Sequence, residues 1–173
     1  MSLFSRRAAA AALLSTVLFA SGCSLAEEPL AVPTEEMAVE LAKEDVEGYV
    51  ELLMTVLNQD ALDTSRLTPV VSETVLEQAI DLRQQRIDLR ETVSGNIRVH
   101  SQTLESIDKI GGAWSVVLLA CLDYTQIVRH REDGSTLPAA PGSSLPQRRI
   151  EVRIDTNTGS REVIAVQDTE RKC

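Results

Sequence analysis

Few residues of this chain could do chemistry, and their spacing limits what that chemistry is. The cysteines stand at Cys23, Cys121 and Cys173 and the histidines at His100 and His130. None of these positions shares the short intervals that gather ligands around a metal, so no metal site is expected. Asp155-Thr156-Asn157-Thr158-Gly159 approaches a calcium loop, but its glycine falls one place early and the twelfth position is Val166, where a glutamate is needed. A hairpin turn is the better reading of that segment. No cofactor motif is present, and no catalytic residue is assigned. The side chains left to line a pocket are Tyr49, Trp114 and Tyr124, because both phenylalanines, Phe4 and Phe19, fall in an N-terminal segment with the features of an export leader.

That segment has Arg6 and Arg7 near its start, an apolar run from Ala8 to Ala20 too short to span a bilayer, and then Ala20-Ser21-Gly22-Cys23. The last four residues resemble a lipobox, with Ala20 where leucine is commoner. Residues 1–22 are therefore expected to be a lipoprotein signal peptide, and Cys23 the lipidated first residue of the mature chain. The weaker alternative is an ordinary Ala-x-Ala cut with Cys23 incidental. More than one acyl chain at Cys23 would hold the protein to the outer face of a bacterial membrane, which a single chain does only marginally. Residues 23–33, small, acidic and proline-bearing, form the tether.

Lipidation of Cys23 would leave Cys121 and Cys173 as a pair in a compartment where disulfides persist, and they are expected to be bonded. The bridge would close a loop of about 50 residues, worth about 4 kcal/mol in the chain-entropy account. Loss of the leader removes two of 17 basic residues and none of the 26 acidic ones, moving the net charge from −9 to −11. So acidic a chain, with three aromatic side chains, excludes nucleic acid as a partner.

The elements that must position these residues follow from periodicity. A helix begins near Thr34, with Leu41, Ala42, Val46, Tyr49, Leu53, Val56 and Leu57 on one stripe and Glu36, Glu40, Glu44, Glu47 and Glu51 on other faces. Asn58 to Pro69 is a connection. A second helix starts at Ser72, carries Val75, Leu76, Ala79, Ile80, Leu82, Ile87 and Leu89 inward and Arg83, Arg86 and Arg90 outward, and stops at Ser94-Gly95-Asn96. The period then becomes two. Strands are expected over Ile97–Ile107, Trp114–Val128, Ile150–Asp155 and Glu162–Asp168, with a turn at Gly111-Gly112 and a long proline-bearing loop over Arg131–Gln147. On the long strand Trp114, Val116, Leu118, Ala120, Leu122 and Tyr124 share the face that the helices cover, which puts Asp123 on the other side with Cys121. His100 and His130 are expected in solvent.

Two helices, the connection Leu62-Asp63-Thr64-Ser65-Arg66-Leu67-Thr68-Pro69, strands carrying Leu119-Ala120-Cys121-Leu122-Asp123-Tyr124 and a terminal strand resemble the NTF2-like (SnoaL-like, cystatin-like) domains of secreted actinobacterial lipoproteins. The resemblance covers residues 34–173, rests on loose motifs, and implies an α+β fold: N-terminal helices packed on a bent antiparallel sheet of about four strands, shaped as a cone. Enzymes of that family, isomerase or cyclase in type, use an Asp or His base inside the cone together with a donor that stabilises an enolate. Tyr49 and Tyr124 could donate, but no buried base can be placed beside them. The expectation is therefore a membrane-anchored, noncatalytic module that binds an envelope protein or a small apolar ligand, through the acidic first helix, the Arg131–Gln147 loop or an apolar pocket.

Overall fold

The computed structural model describes residues 32–58, 64–138 and 145–173. Cys23, the leader and most of the tether lie outside the described residues, as does the middle of the proline-bearing loop. The elements run α1 (Glu35–Asn58), α2 (Glu73–Asp88), β1 (Glu91–Ser94), β2 (Arg98–Ile110), β3 (Ala113–Asp123), β4 (Val128–Arg131), β5 (Thr136–Pro138), β6 (Pro146–Asp155) and β7 (Arg161–Lys172). The protein is α+β. A four-stranded antiparallel sheet in the order β2-β3-β6-β7 carries the helices, and a separate three-stranded antiparallel sheet has the order β1-β4-β5.

Both helices start on hydroxyl side chains. Thr34 accepts from the Met37 N–H, and Ser72, extended at φ −66° and ψ 161°, accepts from the Val75 N–H, so each satisfies an otherwise orphan donor. Ser72 also ties its helix to the sheet. Its N–H donates to the Val163 carbonyl and its hydroxyl to the Ile164 carbonyl, and Val71 forms a parallel bridge with Val163 on the outer edge of β7.

The core lies between α1 and the four-stranded sheet. Ala38, Ala42, Val46, Tyr49, Val50, Leu53 and Val56 descend from α1 onto Val116, Leu118, Ala120 and Leu122 of β3, Ile150, Val152 and Ile154 of β6, and Val163 of β7. β3 thus shows the alternation read from its sequence. Leu67 is fully buried although it lies in a run of turns, and it closes the core beneath the connection. The β2–β3 hairpin turns through Gly111 (φ +56°) and Gly112 (φ +82°), two successive left-handed residues that match the strand twist.

Four expectations need correction. The second helix stops at Asp88, not at Ser94-Gly95-Asn96, because Arg90 itself takes a left-handed conformation (φ +53°) and frees residues 91–94 to pair with residues 128–131. Leu89 and Ile87, expected inward, are exposed as a result. The long strand breaks after Asp123: Tyr124 accepts from the Ile127 N–H in a turn, and the chain re-enters pairing in the other sheet as β4. Gly95 permits that crossing, since a Cβ there would lie 1.9 Å from the Gln126 carbonyl oxygen. The expected loop over Arg131–Gln147 contains β5 and the first residues of β6. Finally, His130 is half-buried and 2.7 Å from the Ser94 hydroxyl, whereas His100 is exposed.

Cys121 and Cys173 form a disulfide, with Cα atoms 6.1 Å apart, joining the last residue to the far end of β3 on the face opposite the helices. Among the described residues no helix is long and apolar enough to cross a membrane.

Candidate functional site

Cross-strand register explains where the sheet opens. On the face toward the helices the rungs read Ile107-Val116-Val152-Val163 and then Leu104-Leu118-Ile150-Val166, largely apolar, and the next reads Gln102-Ala120-Arg148-Asp168. The change matters because Ala120 is small and its neighbours are polar. Apolar packing therefore gives way at that end of the sheet to a groove of about 450 Å³ between α1, α2 and the strands, lined in part by Tyr49, Leu53, Leu82, Leu122, Tyr124, Arg148, Val166 and Asp168.

The two tyrosines meet here, from different elements. Tyr49 descends from α1 and is buried, and Tyr124 follows the end of β3. Burial, with a smaller contribution from Tyr124, pushes the Tyr49 phenol up to about 12, and burial likewise raises that of Tyr124 against the pull of Arg148. Both phenols are therefore protonated at neutral pH and available as donors. The Arg148 guanidinium forms an ion pair with Asp168, and its charge draws the Tyr124 phenol downward.

Trp114 is not part of this groove. It sits at the opposite end of β3, where its indole N–H donates to the Pro33 carbonyl at 3.0 Å and the Lys109 ammonium lies 5.2 Å from the ring centroid. It fastens the residues just before α1 to the sheet. Asp123 is on the side of the disulfide, with its carboxylate accepting from the Thr125 N–H at 2.8 Å, and hydrogen bonding by the Thr125 side chain and N–H holds its carboxyl below the usual range. In the Asp155 turn the carboxylate accepts from the Asn157 and Thr158 N–H groups, both at 2.8 Å, which spends it on the turn. Among the described residues no group of three or more His, Cys, Asp or Glu is placed to hold a metal ion.

Arg148 is the groove residue that sequence reasoning missed. The signal was present, since Arg148 has the parity of Ile150, Val152 and Ile154, all of which face the helices. A strand started at Ile150 hides it. A second hollow of about 570 Å³ runs along the outer flank of α1, between Glu47, Val50, Glu51 and Met54 and the residues 96–99. It is more open and has no aromatic wall.

No family model and no curated protein matches the chain. Among solved structures the chain is similar to the intermembrane space region of the chloroplast protein ARC6, with a TM-score of 0.51 and 12% identity over 75% of this chain and 94% of that one. A de novo designed β-sheet protein is matched over 75% of this chain and 88% of that one, at a TM-score of 0.33 and 13% identity. At such identity the ARC6 likeness concerns the fold alone.

Proposed function

We propose that this chain is a lipid-anchored envelope protein whose domain, an NTF2-like cone, binds a small ligand in the groove between α2 and the Ala120 rung and does no chemistry on it. The observation that carries the reading is the state of the groove's polar groups. Asp168 is paired with Arg148, and the two phenols, raised by burial above an ordinary phenol, carry their protons at neutral pH as any phenol does. Such a set orients a ligand by hydrogen bonds, and the carboxylates beside it, Asp81 and Asp168, stand exposed in solvent rather than buried where a general base would be raised and aimed. Leu53, Leu82, Leu122 and Val166 supply the apolar wall such a ligand would need.

Anchoring rests on Cys23 and its leader, and the indole of Trp114 on Pro33 would hold the start of the domain against the end of the tether. Two measurements test the reading. Intact mass of protein extracted from membranes should show an acylated N-terminus at Cys23, and Cys23→Ser should release the protein; an N-terminus elsewhere contradicts the anchor. For the groove, Ala79→Phe should fill the space between α2 and the sheet and abolish binding of a neutral apolar fluorophore, whereas Met54→Phe in the outer hollow should not. Equal losses, or none, contradict the site.

A further inference from the structure

The Gln102-Ala120-Arg148-Asp168 rung specifies a ligand class, given that the groove is a binding site. We propose that it takes an amphiphile with a single carboxylate head, seated on Arg148 in exchange for Asp168, and with its apolar body along Leu53, Leu82, Leu122 and Val166.

Three features of the pair lead there. The Arg148 side chain is 28% exposed and that of Asp168 is 70% exposed, so the cation sits in the wall while its counter-ion stands in water. Strand register makes them partners: Arg148 lies opposite Asp168, and both line the groove. A pair with one member so exposed is a weak one, and exchanging its carboxylate for another costs little. Arginine presents a planar fork of donors that fits a carboxylate through two parallel bonds, and Arg148 lines the groove beside Tyr124.

Charge placement selects the sign of the head. Asp81 and Asp168 also line the groove, but both are exposed and screened by solvent, whereas the half-buried Arg148 acts where screening is weaker. One guanidinium neutralises one negative charge, so a dianionic phosphate monoester would keep a charge uncompensated beside Asp81 and Asp168 and is disfavoured. The apolar wall begins one rung away, at Leu122 and Val166, which places a head and a chain at adjacent positions.

Dodecanoate, dodecanol and dodecylammonium share one chain and differ in head charge. Titrated into the purified protein at neutral pH and low salt, dodecanoate should bind about tenfold more tightly than dodecanol, the expectation for a charge-assisted over a neutral hydrogen bond. Arg148→Gln should erase that difference and leave dodecanol binding in place. Asp168→Asn, a change at an exposed side chain that leaves the core untouched, should widen it by removing the competing carboxylate. Equal binding of dodecanoate and dodecanol to the wild type, tightest binding of dodecylammonium, or weaker dodecanoate binding by Asp168→Asn would each overturn the carboxylate assignment and leave the groove a binding site. Failure of all three amphiphiles to bind would remove both.

Discussion

The two sheets of this protein are held in place by different physics. The four-stranded sheet faces α1 across Val116, Leu118, Ile150 and Val152, which are fully buried, and the free energy is that of apolar area removed from water. The three-stranded sheet has Glu91 instead. Its carboxylate, 4% exposed, lies 3.2 Å from Arg86 of α2 and 3.4 Å and 3.7 Å from Arg129 and Arg131 of β4. One sheet is attached by a nondirectional force that tolerates salt. The other hangs on a carboxylate whose burial is tolerable only while its arginines surround it. Arg86, expected outward on its helix, instead turns onto Glu91, and the helix stop at Asp88 followed by left-handed Arg90 places Glu91 within its reach. The groove lies where the apolar region ends, so its walls belong to the robust part and its polar groups resemble the other.

The comparison can be broken most directly in the core. Leu118→Ala should cost about 2–5 kcal/mol and lower the midpoint of the whole domain, because its site is fully enclosed and cannot collapse. Denaturant melts followed at several probes should shift together. Reduction of the Cys121–Cys173 bridge comes next, at about 2–4 kcal/mol, with fraying concentrated in the last residues of β7. Non-reducing peptide mapping and melts with and without reductant check it; coincident melts would remove the bridge from the stability account.

Glu91→Gln should cost about 2–3 kcal/mol, below the range for a fully buried network because Arg131 is half in solvent. The loss should be local. Amide exchange should accelerate over residues 91–94 and 128–131 and stay unchanged over 114–122, and uniform acceleration would mean that the two sheets are not held separately. The smallest effects belong to single carboxyls. Burial raises that of Asp45, so it favours the folded state while protonated and loses that contribution as pH rises through its folded value. Hydrogen bonds from Thr158 and Asn157 lower that of Asp155, so its contribution is present above the ordinary carboxylate range and is lost as pH falls through its folded value. Asp155→Ala should therefore lower the melting point at neutral pH and match the wild type in acid. A pH-independent difference would contradict the turn's role.

How far the sequence could be read follows the same division. Where apolar residues repeat at a helical or strand period, as in α1 and β3, the buried face was legible, and so were the hydroxyl start at Ser72 and the glycine turn at 111–112. The three-stranded sheet was not. β1 has four residues, its one buried side chain is a glutamate, and its partner strand is more than 30 residues away, so neither periodicity nor apolar content marks it. An arginine taking the left-handed conformation at position 90 carries none of the signal that a glycine would. Tyr49 and Tyr124 were read as pocket residues from type alone, and the packing of α1 over the end of β3 brings them to one groove; Trp114, grouped with them, lies too far along β3. Arg148 stayed hidden because the preceding prolines read as loop.

Whether a ligand occupies the groove beside Arg148 can be read from an amide chemical-shift titration of the protein with dodecanoate. Saturable shifts should cluster at Leu53, Leu82, Leu122, Tyr124 and Val166, with the backbone of residues 96–99 unmoved. Shifts gathered instead along Glu47, Val50, Met54 and residues 96–99, or spread without saturation, would contradict occupancy of the groove.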